Sequence, residues 1–154
     1  DYLYDFFSEL YGIPTDRRDA RKCMLFARFG IQEFVQVRVR DLSTGMKQKV
    51  SLVISLVQDP EIIIFDEPTN GLDILTAKVV TDFLLDLKEQ GKTIIISTHI
   101  FSLVEKICDR VGIIINGRMA ACEDLRTLCG DKSLEDRFFE IYEAVNGEDE
   151  NHDK

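Results

Sequence analysis

An α/β fold with parallel strands, preceded by an α-helical region, is predicted for this chain by three observations. Short apolar runs at residues 62–65, 94–96 and 111–115 have the length of buried strands and are too brief for helices. Between them lie stretches with helical spacing of apolar residues, and strands that alternate with helices pair in parallel. The chain before Ser43 carries helical spacing without such runs. At 154 residues, 45% of them hydrophobic, the chain has the length of one globular domain with room for a core.

Each element follows from local signals. Leu3, Phe6, Phe7 and Leu10 fall at i, i+3, i+4 and i+7 and predict a first helix with these four on its inner face, stopped by Gly12 and Pro14. A second helix follows, capped by Thr15 or Asp16, with Ala20, Cys23, Met24 and Ala27 as a narrow apolar face and Gly30 as its C-terminal stop. Residues 31–42 read as a connector in which Val35, Val37 and Val39 alternate with polar residues, as a short exposed strand or an extended link. Ser43 opens a helix to about Val57, with Val50, Leu52, Val53 and Leu56 inward. The run 62–65 is a buried strand ending in Asp66. A helix starts near Asp73, turns Ala77, Val80, Phe83, Leu84 and Leu87 to one face, and ends at Gly91. Residues 94–97 form the second buried strand, 101–109 a helix, and 111–115 a third strand closed by the tight turn Asn116-Gly117. Ser133 and Asp136 start a last helix carrying Leu134, Phe138, Ile141, Tyr142 and Val145.

These elements divide as a helical region at 1–58, a sheet-bearing region at 59–130, a C-terminal helix at 131–147 and a disordered, solvated acidic tail at 148–154. Nineteen basic against 28 acidic residues leave a net charge of −9, which excludes a protein that grips nucleic acid or anionic membranes through bulk charge. A phosphate ligand must be held locally. No apolar stretch approaches the ~20 residues that span a bilayer, so a chain that does not cross a membrane is expected. The four cysteines form no CxxC pair and read as reduced, mostly buried, cytosolic thiols.

Two places carry chemistry by position. Asp66 and Glu67 follow the carboxyl end of a parallel strand, where ligands of open α/β sheets bind, although an Asp-Glu pair there also serves as an ordinary loop or helix cap. Ser43 caps a helix whose first turn contains Gly45, and the free N–H groups and positive dipole end suit a phosphate oxygen, although a Ser cap before a core helix needs no ligand.

Three blocks in order, Leu42-Ser43-Thr44-Gly45-Met46-Lys47-Gln48-Lys49, Asp66-Glu67-Pro68-Thr69-Asn70-Gly71-Leu72-Asp73 and Ser97-Thr98-His99, resemble the ABC transporter ATPases. The resemblance continues through Cys108-Asp109-Arg110-Val111 and Gly117-Arg118 and covers most of residues 1–145. It implies a partial P-loop NTPase (RecA-like) core preceded by a helical signature subdomain, with ATP as substrate and Mg²⁺ as cofactor. By the same resemblance, Asp66 holds Mg²⁺ through its water shell, Glu67 polarises the attacking water, and His99 senses the γ-phosphate. Ser43, Thr44 and Gly45 belong to the signature loop, which meets ATP bound to a second subunit, and Asp73 to the D-loop. Thr44 and Met46 depart from the common LSGGQ form, and Met-Lys-Gln-Lys after the Gly looks like the exporter-type subunits. Ser43 and Gly45 carry over well and Met46 poorly.

The phosphate-cradling loop G-x-x-x-x-G-K-[ST] occurs nowhere in the sequence. Gly91-Lys92-Thr93 is a decoy, since the earlier Gly would fall at Asp86 and the tripeptide precedes a strand. The family's N-terminal half with the P-loop is expected upstream of Asp1, its central strand lying between those at 94–97 and 111–115. Without it these two strands must close up or leave edges, and the chain alone is expected to bind ATP weakly and hydrolyse it negligibly. The implied partners are a second ATP-binding subunit, a transmembrane permease and the P-loop half, with no nucleic acid. The implied location is cytoplasmic, at the inner face of the cell membrane through that permease. One alternative is the C-terminal lobe of a chromosome-maintenance or DNA-repair ATPase, disfavoured by the acidic balance and by the lack of heptads in residues 1–42. Another is a non-catalytic interaction fragment.

Overall fold

A computed structural model describes residues 1–152, with side chains through Gly147. The chain forms two compact units, Asp1–Ser97 and Thr98–Lys154. Packing between the helical region and the helix that follows the first strand holds residues on both sides of position 58 in the first unit.

The first unit holds α1 (Tyr2–Leu10), α2 (Thr15–Phe29), two short 3-10 turns (Ile31–Phe34 and Val39–Asp41), α3 (Thr44–Ser55), β1 (Ile62–Asp66), α4 (Ile74–Glu89) and β2 (Thr93–Ser97). Strands β1 and β2 pair in parallel, from Ile62 opposite Thr93 to Asp66 opposite Ser97, as the alternation of strand and helix requires. Their burial differs from expectation. Ile63 and Phe65 are buried, whereas Ile62 and Ile64 are 63% and 72% exposed, so β1 buries one face only. In β2 Ile94 and Ile96 are half-buried and Ile95 is exposed. Helix α4 turns Val80, Phe83, Leu84 and Leu87 inward as expected, and adds Thr76 and Thr81. The Thr81 hydroxyl donates to the Ala77 carbonyl at 2.8 Å, which lets a polar residue sit there.

The inner faces of the first two helices are not those the apolar spacing gives. In α1 Tyr4 and Ser8 are buried while Phe6 and Leu10 are exposed. Ser8 is tolerated because its hydroxyl donates to the Tyr4 carbonyl at 2.7 Å. In α2 Ala20, Cys23, Met24 and Ala27 face solvent, and Leu25, Phe26 and Phe29 are buried instead. In α2 the bulky Leu25, Phe26 and Phe29 remove more apolar surface from water than Ala20, Cys23 and Ala27 would. Phe26 meets Tyr4 edge-on with ring centroids 5.5 Å apart, and Phe29 meets Phe83 of α4 at 5.1 Å. With the Arg28–Asp86 ion pair at 2.6 Å, that second contact fastens the helical region to α4. Neither Thr15 nor Asp16 caps α2: the helix begins at Thr15 after Pro14. It ends at Gly30, whose φ of 64° is the left-handed cap that Gly adopts without strain. Residues 31–42 form the two 3-10 turns and no strand, with Ile31 and Phe34 buried. In α3 Leu52 and Val53 are buried, as are Leu56 and Val57 just beyond it, whereas Val50 is only half-buried.

The second unit holds α5 (Phe101–Ile107), β3 (Arg110–Ile115), β4 (Arg118–Asp124), α6 (Leu125–Cys129) and α7 (Leu134–His152). Strand β3 does not extend the parallel sheet. It pairs antiparallel with β4 through the turn Asn116-Gly117, both residues having positive φ, 51° and 74°. The hairpin core of Ile113, Ile115, Leu128 and Leu134 is covered by Phe138, Ile141 and Val145 of α7, while Tyr142 is exposed. The start of α7 matches expectation: Ser133 Oγ accepts from the Asp136 amide at 3.0 Å and donates to Asp136 Oδ2 at 2.7 Å. The backbone of α7 is helical to His152, and residues 153–154 of the expected acidic tail lie outside the described residues. Cys23 and Cys122 are exposed and Cys108 and Cys129 half-buried, so the cysteines are not mostly buried. Among the described residues no helix is long and apolar enough to cross a membrane.

Candidate functional site

Parallel strands of equal length bring their last residues side by side, and here those residues are Asp66 and Ser97. Ser97 Oγ donates to Asp66 Oδ1, and the Glu67 amide donates to the Ser97 carbonyl at 2.9 Å, so the ladder continues one residue past β1. At Glu67 the backbone takes φ 46°, a left-handed conformation that costs a non-glycine residue of order 1 kcal/mol. The chain thereby leaves the strand sharply. Pro68 and Thr69 are buried beneath the turn, the Asn70 amide donates to the Glu67 carbonyl at 3.1 Å, and the Leu72 amide to the Thr69 carbonyl at 3.3 Å. Asp73 ends the turn by capping α4: Oδ1 accepts from the Thr76 amide at 3.0 Å and Oδ2 from the Thr76 hydroxyl at 2.7 Å. The hydrogen bond from the Thr76 hydroxyl, helped by that from its amide, holds the Asp73 carboxyl below its ordinary pKa.

The signature segment lies against this turn. Ser43 is extended at φ −64°, ψ 164°, and its Oγ accepts from the Met46 amide at 3.2 Å, the N-cap of α3. A Cβ added to Gly45 would stand 3.7 Å from Leu72 Cδ2 and 3.8 Å from the Gly71 carbonyl oxygen, and one added to Gly71 would stand 3.5 Å from Thr44 Cγ2. The structure thus gathers Ser43, Thr44, Gly45, Asp66, Glu67 and Asp73 within the first unit. His99 falls in the second unit, exposed, next to Thr98, whose Oγ1 accepts from the Ile100 amide at 3.2 Å ahead of α5. Ser97 is the residue that the motif reading placed without giving it a task. The signal was available: two strands ending in polar residues at matching positions.

Lys92 of the decoy tripeptide stands at the amino end of β2, the end opposite Ser97. It reaches Glu61 at 2.8 Å and Asp59 at 3.2 Å, and the Glu61 hydrogen bond raises its pKa. It is a structural cation. Among the described residues no three His, Cys, Asp or Glu side chains gather as metal ligands. A single carboxylate at a strand end fits an ion that keeps most of its water shell, as Mg²⁺ does when held by one or two carboxylates and substrate phosphates.

The family profile described as ABC transporter matches residues 6–70. ABC transporter ATP-binding protein NatA of Bacillus subtilis is 39% identical over 131 residues, covering 85% of this chain and 53% of that protein. A fluoroquinolones export ATP-binding protein of Mycobacterium tuberculosis is 36% identical, covering 77% of this chain and 38% of its own length. Nod factor export ATP-binding protein I of Rhizobium etli is 35% identical over 75% of this chain and 36% of itself. A solved ATP-binding subunit of an ABC transporter superposes with a TM-score of 0.85 at 28% identity, over 91% of this chain and 60% of that one. The chain spans about half, or less, of the length of these curated relatives.

Proposed function

The chain belongs to the ABC transporter ATP-binding family, and on that premise we propose that it is part of the ATP-hydrolysing subunit of a membrane exporter. The observation that carries this reading is the end of β1, where Asp66 is tied to Ser97 and the left-handed Glu67 turns the chain toward Asp73. Two carboxylates at the carboxyl end of a parallel strand suit phosphoryl transfer, which needs charge neutralised on the β- and γ-oxygens and a group that orients the attacking water. Asp66 holds Mg²⁺ through its water shell, and the metal supplies that neutralisation when bound. Glu67 positions and polarises the water, a task worth about 10² to 10⁴ in rate. His99 contacts the γ-phosphate. Ser43 and Gly45 present the amino end of α3 to the nucleotide of a second ATP-binding subunit, with Thr44 beside them, so two subunits close over two nucleotides. Asp73 combines its cap with contact across that dimer.

The names of two relatives refer to export, which supports an exporter over an importer. The subunit acts at the cytoplasmic face of the membrane, coupled to a permease. The 154 residues hold no P-loop, so a P-loop-bearing segment must complete the site, and by themselves these residues do not turn ATP over. Glu67→Gln in the complete subunit tests the reading: steady-state turnover falls about 10²-fold or more while nucleotide binding is retained. Unchanged turnover removes Glu67 from the chemistry.

A further inference from the structure

Thr44 stands where the common signature has Gly, so its side chain has no counterpart in that form. Its position in the fold gives it a task. The Thr44 methyl lies over Gly71, within 3.5 Å of where a Cβ on Gly71 would be, and Leu72 returns the contact by placing Cδ2 3.7 Å from the Cβ position of Gly45. The two segments therefore interlock twice, each laying a side chain over the other's glycine. Gly71 has φ 71°, a left-handed conformation that glycine adopts without strain. Neither segment is loose by itself: Ser43 fixes the start of α3, while the hydrogen bonds Asn70 to Glu67 and Leu72 to Thr69, with the Asp73 cap, fix the turn.

We propose that Thr44 and Leu72 clamp the start of α3 onto the turn 66–73, so that Ser43 and Glu67 move as one body. The inference rests on the proposed function, in which Ser43 serves the nucleotide of the opposite subunit and Glu67 that of its own. A displacement of Ser43 when one nucleotide binds is then passed through the clamp to the carboxylate that acts on the other. Thr44 is a positioning residue, and the part that positions is its methyl group and not its hydroxyl.

Two replacements separate those parts. Thr44→Val keeps the methyl over Gly71, and Thr44→Ser keeps the hydroxyl and loses the methyl. In the complete subunit assembled with its permease, the ATP dependence of turnover is measured for wild type, both variants, Leu72→Ala and Glu67→Gln. The clamp predicts a Hill coefficient above 1 for wild type and for Thr44→Val. Thr44→Ser and Leu72→Ala bring it toward 1 and lower kcat about tenfold, since small misplacements of a positioned group cost one to two orders of magnitude. Equal thermal midpoints for Thr44→Ser and Thr44→Val separate the loss from unfolding. If Thr44→Ser behaves as wild type, if Thr44→Val behaves as Thr44→Ser, or if wild-type turnover is not cooperative, the clamp is overturned while the ATPase reading stands. If Glu67→Gln turns over as wild type, the ATPase reading fails first.

Discussion

Ser43 is assigned two tasks, capping α3 and meeting a phosphate, and two substitutions pull them apart. Ser43→Ala removes the hydroxyl that accepts from the Met46 amide at 3.2 Å. Loss of such a cap costs about 0.5 to 2 kcal/mol, and the length of this bond places it near the lower half of that range, about 1 kcal/mol. In the 154-residue chain the Met46 amide should then exchange with solvent about fivefold faster, the Boltzmann factor for that energy. Ser43→Asp restores an acceptor and should return Met46 exchange to the wild-type rate or slower, because a carboxylate also favours the positive end of the helix. For the phosphate the same substitution is harmful. A unit negative charge about 4 Å from a phosphate charge, at an effective dielectric near 20, is repelled by about 4 kcal/mol, roughly a thousandfold in affinity. Turnover by the complete subunit should therefore order as wild type, then Ser43→Ala, then Ser43→Asp, opposite to the order of helix protection for the two variants. Turnover of Ser43→Asp at the wild-type rate would refute the phosphate contact, and unchanged Met46 exchange in Ser43→Ala would refute the cap.

Other perturbations bear on the scaffold. Leu84 is 1% exposed on the inner face of α4, so Leu84→Ala should destabilise the first unit by about 2 to 5 kcal/mol, read from the urea midpoint of helical circular dichroism. The Asp73 carboxyl is held below its ordinary value of 3.8 by Thr76, so its cap is at full strength above that pH and is lost as pH falls through the depressed value. Protection of the Thr76 amide should drop on acidification below about pH 4, and Asp73→Asn should abolish that pH dependence; equal profiles for the two proteins would contradict the hydrogen-bonded carboxylate.

What the sequence disclosed were the features decided within a few residues. The helix starts at Ser43, Asp73 and Ser133 rest on side chains that reach an amide three positions on, and all three hydrogen bonds form. Gly30 ends α2 because a left-handed residue was needed there. Strands β1 and β2 were legible from isoleucine runs, but which face they cover was not, since an all-apolar run has no alternation to read. The inner faces of α1 and α2 depended on partners far along the chain: Phe29 is buried because Phe83 waits in α4, and no local pattern contains that. Strand β4 went unread because Met119-Ala120-Ala121-Cys122 lacks β-branched residues, and it becomes a strand through the Asn116-Gly117 turn and pairing with β3. The candidate site was largely legible as motifs, whereas the bond from Ser97 to Asp66 and the meeting of Thr44 with Gly71 are tertiary.

On the proposed function these residues contribute the metal-holding and water-positioning carboxylates of an ATP site without its phosphate cradle, and titration calorimetry of Mg-ATP into the 154-residue chain tests this. The expected trace shows no stoichiometric binding at micromolar concentrations, and binding appears once a P-loop-bearing segment completes the subunit. Tight one-to-one binding of Mg-ATP by the 154 residues alone would contradict it.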